Sequence, residues 1–153
     1  MLEGYLDWQR ATLLNICAGL TGEQLASRPI PSTNLSLLGL VRHMAKVERI
    51  WFRQRIVAEG AEQVESLYDP ALGKDADFDL IDADEASEAF ERYESEVALA
   101  REVARGISFD HTFDVQGETW SVQMVHVHMI GEYARHNGHA DLLREAIDGA
   151  QDR

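Results

Sequence analysis

The sequence predicts an all-α fold built on four long helices, and three observations carry that prediction. Apolar residues recur at helical spacing in four separate stretches of the chain. Pro29, Pro31, Gly60, Pro70 and Gly106 fall between those stretches, where they break regular structure. With 153 residues, 45% of them hydrophobic and 27% charged, the chain has ordinary globular composition and the length for one domain (residues 1–153) with a true core.

The first helix covers roughly residues 2 to 20, with Leu2, Leu6, Leu13, Ile16 and Leu20 as its core stripe. Gln9 falls in that stripe and faces either a functional site or another polar group. Cys17 is the only cysteine, which excludes an intramolecular disulfide; its apolar surroundings mark it as a small core residue. Thr21-Gly-Glu-Gln-Leu reads as a turn into a short capped helix that Pro29 and Pro31 stop. The second long helix is capped near Asn34 or Ser36 and runs to about Ala58, before Gly60.

Residues 60 to 83 are the least regular stretch, crowded at its end by Asp75, Asp77, Asp79, Asp82 and Asp84. The glycine and terminal glutamate of an EF-hand are missing at the required offsets, so a solvated acidic loop covering one mouth of the fold is expected instead of a calcium loop. The third helix starts at Asp82 or Asp84 and continues to about Arg105, burying Phe90, Tyr93, Val97, Ala100 and Ala104. Residues 107 to 120 contain a Gln116-Gly117 turn and form a short hairpin or an extended connection. Ser121 caps the fourth helix, which runs to about Ile147. Gly131 and Gly138 share one side of it and are expected to admit a neighbouring helix closely.

That fourth helix is the most informative element. It reads His126-Val-His128-Met-Ile-Gly-Glu132-Tyr-Ala-Arg-His136-Asn-Gly-His139. Helical residues advance by about 100°, so positions 128, 132, 136 and 139 fall within a sector of about 80°. A carboxylate and an imidazole four residues apart can reach one point, and zinc, nickel or ferrous iron accept that ligand mixture. One helix cannot complete a coordination sphere. His43 on the second helix is the other candidate, because Leu40, Val47 and Ile50 share its face and turn it inward. A core histidine bonded to a carbonyl or carboxylate is the alternative reading of His43.

The segments Arg28-Pro-Ile-Pro-Ser-Thr-Asn-Leu-Ser-Leu-Leu-Gly-Leu-Val-Arg-His43 and Glu132-Tyr-Ala-Arg-His-Asn-Gly-His-Ala-Asp-Leu-Leu-Arg-Glu145 resemble the mini-circle protein branch of the DinB-like superfamily. The resemblance runs from Trp8-Gln-Arg to Ile147-Asp-Gly. It implies a four-helix bundle of up-down-down-up topology with a divalent metal between helices, and a homodimer, as is common among such proteins. It also implies a small-molecule partner, since some relatives use mycothiol or bacillithiol, among them a maleylpyruvate isomerase and S-transferases. By position, His43 and His136 match the family's histidines, and Glu132 matches the glutamate of the mycothiol-dependent isomerase. Two departures stand out. Asn137-Gly138-His139 replaces the family's Arg-Gly-Gln, and Gly131 replaces an acidic residue.

The expected metal ligands are therefore His43, Glu132 and His136, holding zinc first and nickel or iron as alternatives. Three ligands leave an open position, where the ion would stabilise a thiolate for attack on an electrophile. His139 is either a fourth ligand or the catalytic acid or base beside the metal. His128 and Glu48 are expected to orient the ligands from behind, with a surface ion pair to Arg49 or Arg53 as the alternative for Glu48. Arg42, Arg135 or Arg144 should line the thiol pocket, while His111 and His126 lie off the shared face. Two other functions fit the same ligand set: a non-catalytic metal-binding stress protein and a metal-dependent hydrolase.

A net charge of -13 and a pI near 4.7 disfavour nucleic acid and anionic lipid as partners. No apolar run approaches the ~20 residues that span a bilayer, and no basic region followed by an apolar block opens the chain, so a cytoplasmic protein without a membrane partner is expected.

Overall fold

In the computed structural model, which describes residues 1–56 and 62–151, the first helix, α1, spans Leu2–Cys17. It buries Leu6, Leu13 and Ile16 on the expected stripe, and Cys17 with them. It ends before Leu20 because Gly19 takes a left-handed φ of 78°, which terminates a helix. A short helix, α2 (Gly22–Ala26), follows with a complete capping box between Thr21 and Gln24.

Ser36 caps α3 (Leu37–Glu48), its Oγ accepting from the Gly39 amide. The helix then widens into a π-helical turn, Arg49–Arg55, a form usually inserted into α-helices at functional sites. Ala58 and Gly60, where this helix was expected to stop, lie outside the described residues. Where a solvated acidic loop is expected, the chain forms a 3-10 turn at Pro70–Leu72 and a one-turn helix, α4 (Ala76–Asp79), packed on α3. Asp75, Asp79, Asp82 and Asp84 are exposed as expected, but Asp77 is buried.

Asp82 caps a 3-10 turn, Ala83–Glu85, that leads into α5 (Ala86–Arg105). A hairpin follows, β1 (Thr112–Val115) paired antiparallel with β2 (Glu118–Ser121) in the register Thr112 to Ser121. Its turn residues Gln116 and Gly117 have φ of 56° and 87°, as tight hairpin turns require. Ser121 then caps α6 (Val122–Asp148).

The molecule is thus mostly helical with one small sheet. α1 packs along α6, α3 along α5, and α3 also meets α6. Asn137 reaches Gln9 while Arg144 reaches the carbonyls of Ile16 and Ala18, so α1 and α6 run the same way. His43 lies beside His136 and Trp51 beside His128, so α3 and α6 run in opposite directions. Among the described residues, no helix is long and apolar enough to cross a membrane.

A charged network passes through this core. Glu48 is fully buried and accepts from Arg10 Nε and Nη2 at 2.8 and 2.7 Å, and from the Tyr133 hydroxyl at 2.7 Å. Tyr93 bonds the Tyr133 hydroxyl at 2.9 Å. Burial raises both phenols, so they stay protonated at neutral pH. Glu48 therefore neither braces a candidate ligand nor pairs at the surface. Arg49 and Arg53 bind Glu96 of α5 instead.

Candidate metal centre

His43 leaves α3 from the apolar stripe that buries Leu40 and Val47, and Glu132 and His136 leave α6 one turn apart. One ligand atom from each of His43, Glu132 and His136 lies within 4.8 Å of the other two. The His43 and His136 rings are 4.7 Å apart, and His136 Nε2 is 3.6 Å from Glu132 Oε2. Two imidazoles and a carboxylate from two helices make a donor set suited to a borderline divalent ion.

The protonation states fit that use. Burial and then the nearby His43 push His136 down to about 4, against the pull of Glu132, so it is neutral near pH 7. Its Nδ1 is buried without a hydrogen-bond partner among the described residues. His43 Nδ1 lies 2.7 Å from Asp77 Oδ2. Burial alone would raise the Asp77 carboxyl, but the bonds from His43 and Lys46 outweigh it and hold Asp77 below its ordinary range. An ionised carboxylate only accepts, so the Nδ1 proton of His43 is turned to Asp77, and Nε2 is the ring nitrogen outside that bond.

Phe78 stacks on His43 with ring centres 4.6 Å apart. Gly39, one turn before His43, makes room for it, since a Cβ there would lie 3.3 Å from the Phe78 ring. Among the described residues, the helix-approach role expected of Gly131 and Gly138 is not met: a Cβ at either would meet nothing within 4 Å.

His139 lies next to His136, ring centres 5.5 Å apart, but is not in the converging set; its Nδ1 is also buried without a partner among the described residues. His128 Nε2 is 3.9 Å from Glu132 Oε1, and its ring packs between Trp51 and Trp120. Burial lowers its pKa, Glu132 opposing. His126 is a core histidine whose Nδ1 donates to the Val122 carbonyl.

Of the three arginines expected to line a thiol pocket, only Arg135 is exposed beside the cluster, where its charge acts on His128 and His136. Arg42 is buried against the carbonyls of Ala76 and Asp77, and Arg144 holds the end of α1. Gln9 meets the Asn137 amide, the polar-partner alternative. Sequence reasoning missed Asp77 altogether; the density of aspartates around it pointed to solvent.

The sequence model of the Mycothiol-S-transferase family matches residues 1–149, a stretch that includes His43, Asp77, Glu132 and His136. No curated protein and no solved structure matches the chain.

Proposed function

The chain belongs to the Mycothiol-S-transferase family, and on that footing we propose that it is a metal-dependent thiol S-transferase. It would join a low-molecular-weight thiol, mycothiol or bacillithiol, to an electrophilic small molecule, or isomerise one by adding and expelling the same thiol. The observation that carries this reading is the convergence of His43, Glu132 and His136 within 4.8 Å. A divalent ion on these residues, zinc first and nickel or iron as alternatives, would lower the pKa of a bound thiol.

The chain's own groups divide the remaining work. His43 and His136 would offer imidazole nitrogens, and Glu132 would offset part of the positive charge. His139, whose ring lies 5.5 Å from that of His136, would take the thiol proton as the sulfur becomes nucleophilic.

The finer architecture belongs to the same proposal: one domain over residues 1–153, an up-down-down-up four-helix bundle. The shared direction of α1 and α6 and the opposed direction of α3 support it. The charge of -13 supports a protein without nucleic-acid or anionic-membrane partners, and a cytoplasmic location is part of the same proposal. A homodimer is carried over from the resemblance alone.

The test is metal content by plasma mass spectrometry on tag-free protein. Wild type should hold about one equivalent, and His43→Ala and His136→Ala should each lose most of it while keeping the helical circular dichroism. Equal metal in wild type and both variants, or none after reconstitution, would remove this reading. A thiol-transfer screen on the loaded protein then tests turnover.

A further inference from the structure

We propose that Asp77 is the positioning residue of the ligand His43, and that residues 74–79 form a clasp whose order is coupled to metal affinity. This rests on the metal reading above, but concerns a residue that supplies no ligand. The Asp77 side chain is 1% exposed, and both its oxygens are engaged, Oδ2 by His43 Nδ1 at 2.7 Å and Oδ1 by Lys46 Nζ at 3.1 Å. A carboxylate behind a ligating imidazole fixes its tautomer and ring orientation and makes the opposite nitrogen a better donor.

Asp77 sits on neither of the helices that bear the candidate ligands. It sits on α4, a single turn too short to hold itself together. The turn is held from outside. Arg42 donates to the carbonyls of Asp77 and Ala76, and Lys46 to that of Lys74. Arg28 donates to those of Phe78 and Asp79, and Asn34 to the Asp79 side chain. Most of these bonds grip the backbone, so they set where the clasp lies. Two of its side chains then meet His43: the Asp77 carboxylate at Nδ1 and the Phe78 ring on its face. An ion that orients His43 must favour the ordered clasp, and an ordered clasp must favour the ion by the same factor.

The experiment uses the full chain and zinc alone as probe, with dissociation constants from chelator competition. Asp77→Ala should weaken zinc about 10- to 100-fold. Asp77→Asn, which keeps an acceptor for the Nδ1 proton without the charge, should weaken it less. Asn34→Ala, which removes the bond to the Asp79 side chain, should also weaken zinc, and zinc should slow amide exchange across residues 74–79 in wild type. Wild-type affinity in Asp77→Ala, or exchange in the clasp unchanged by zinc, would overturn the proposal. Nitrogen NMR of the metal-free protein separates this from failure of the metal reading. A His43 that carries its proton on Nδ1 in wild type and moves it to Nε2 in Asp77→Ala supports the positioning role even if no zinc binds. The same tautomer in both would sink it.

Discussion

Two polar clusters lie between α3 and α6, and they are built on opposite terms. Around Glu48, every charge is answered: Arg10 grips both oxygens, Tyr133 donates to one, and Tyr93 closes the chain of bonds. Around His43, nitrogens are left over: His136 Nδ1 and His139 Nδ1 are buried with no partner among the described residues. Glu132 and Tyr133 are adjacent in sequence, so one turn of α6 contributes to both. A saturated network resists change and holds helices in register. An unsaturated one of two imidazoles and a carboxylate is what a metal requires, and an unmet buried donor or acceptor costs roughly 1–3 kcal/mol until something meets it.

The contrast can be broken hardest on the saturated side. Glu48→Ala takes both Glu48 bonds from the buried Arg10 and leaves it paired with Asp7, and should lower unfolding free energy by about 3 kcal/mol, read by urea denaturation. Whatever fraction stays folded should keep its metal content.

The unsaturated side should show itself in pH. In the folded, metal-free protein His136 titrates at about 4 instead of 6.5, so the unfolded chain binds the proton more tightly. The stability linked to neutral His136 is fully present above pH 6.5 and is lost as pH falls towards 4, on the order of 1–2 kcal/mol across that window once solvent screening is allowed for. His136→Gln should be flatter than wild type over the same range; identical slopes would contradict the assignment.

The smallest effect sharpens the picture of α6 itself. A Cβ at Gly131 or Gly138 would meet none of the described residues within 4 Å, so Gly131→Ala and Gly138→Ala should each stabilise the helix by about 0.5–1 kcal/mol. A lower melting temperature in either would mean that a neighbour occupies that face.

The convergence of His43, Glu132 and His136 was legible because its signal is local: Glu132 and His136 are one turn apart, and His43 shares its face with Leu40 and Val47. The hairpin turn at Gln116-Gly117 was legible for the same reason. Asp77 and the Arg10–Glu48 pair were not, since His43 and Glu48 each lie more than thirty positions from the residue they meet, across a segment or helix whose path no periodicity reveals. Aspartates in an irregular stretch look alike in sequence; only the clasp's carbonyl bonds single out one of them for burial. The glycines of α6 misled for a related reason, because shared phase says which side a residue faces but not what stands there.

Cys17 has a practical consequence. It is the chain's only thiol, 3% exposed, and burial pushes its pKa up to about 12. The folded protein therefore brings no reactive sulfur of its own to an alkylation assay, and any rapid thiol consumption can be credited to added substrate. Slow labelling of Cys17 would instead time the opening of the core. One reagent thus reads catalysis on the fast scale and unfolding on the slow one, without engineering a cysteine in or out.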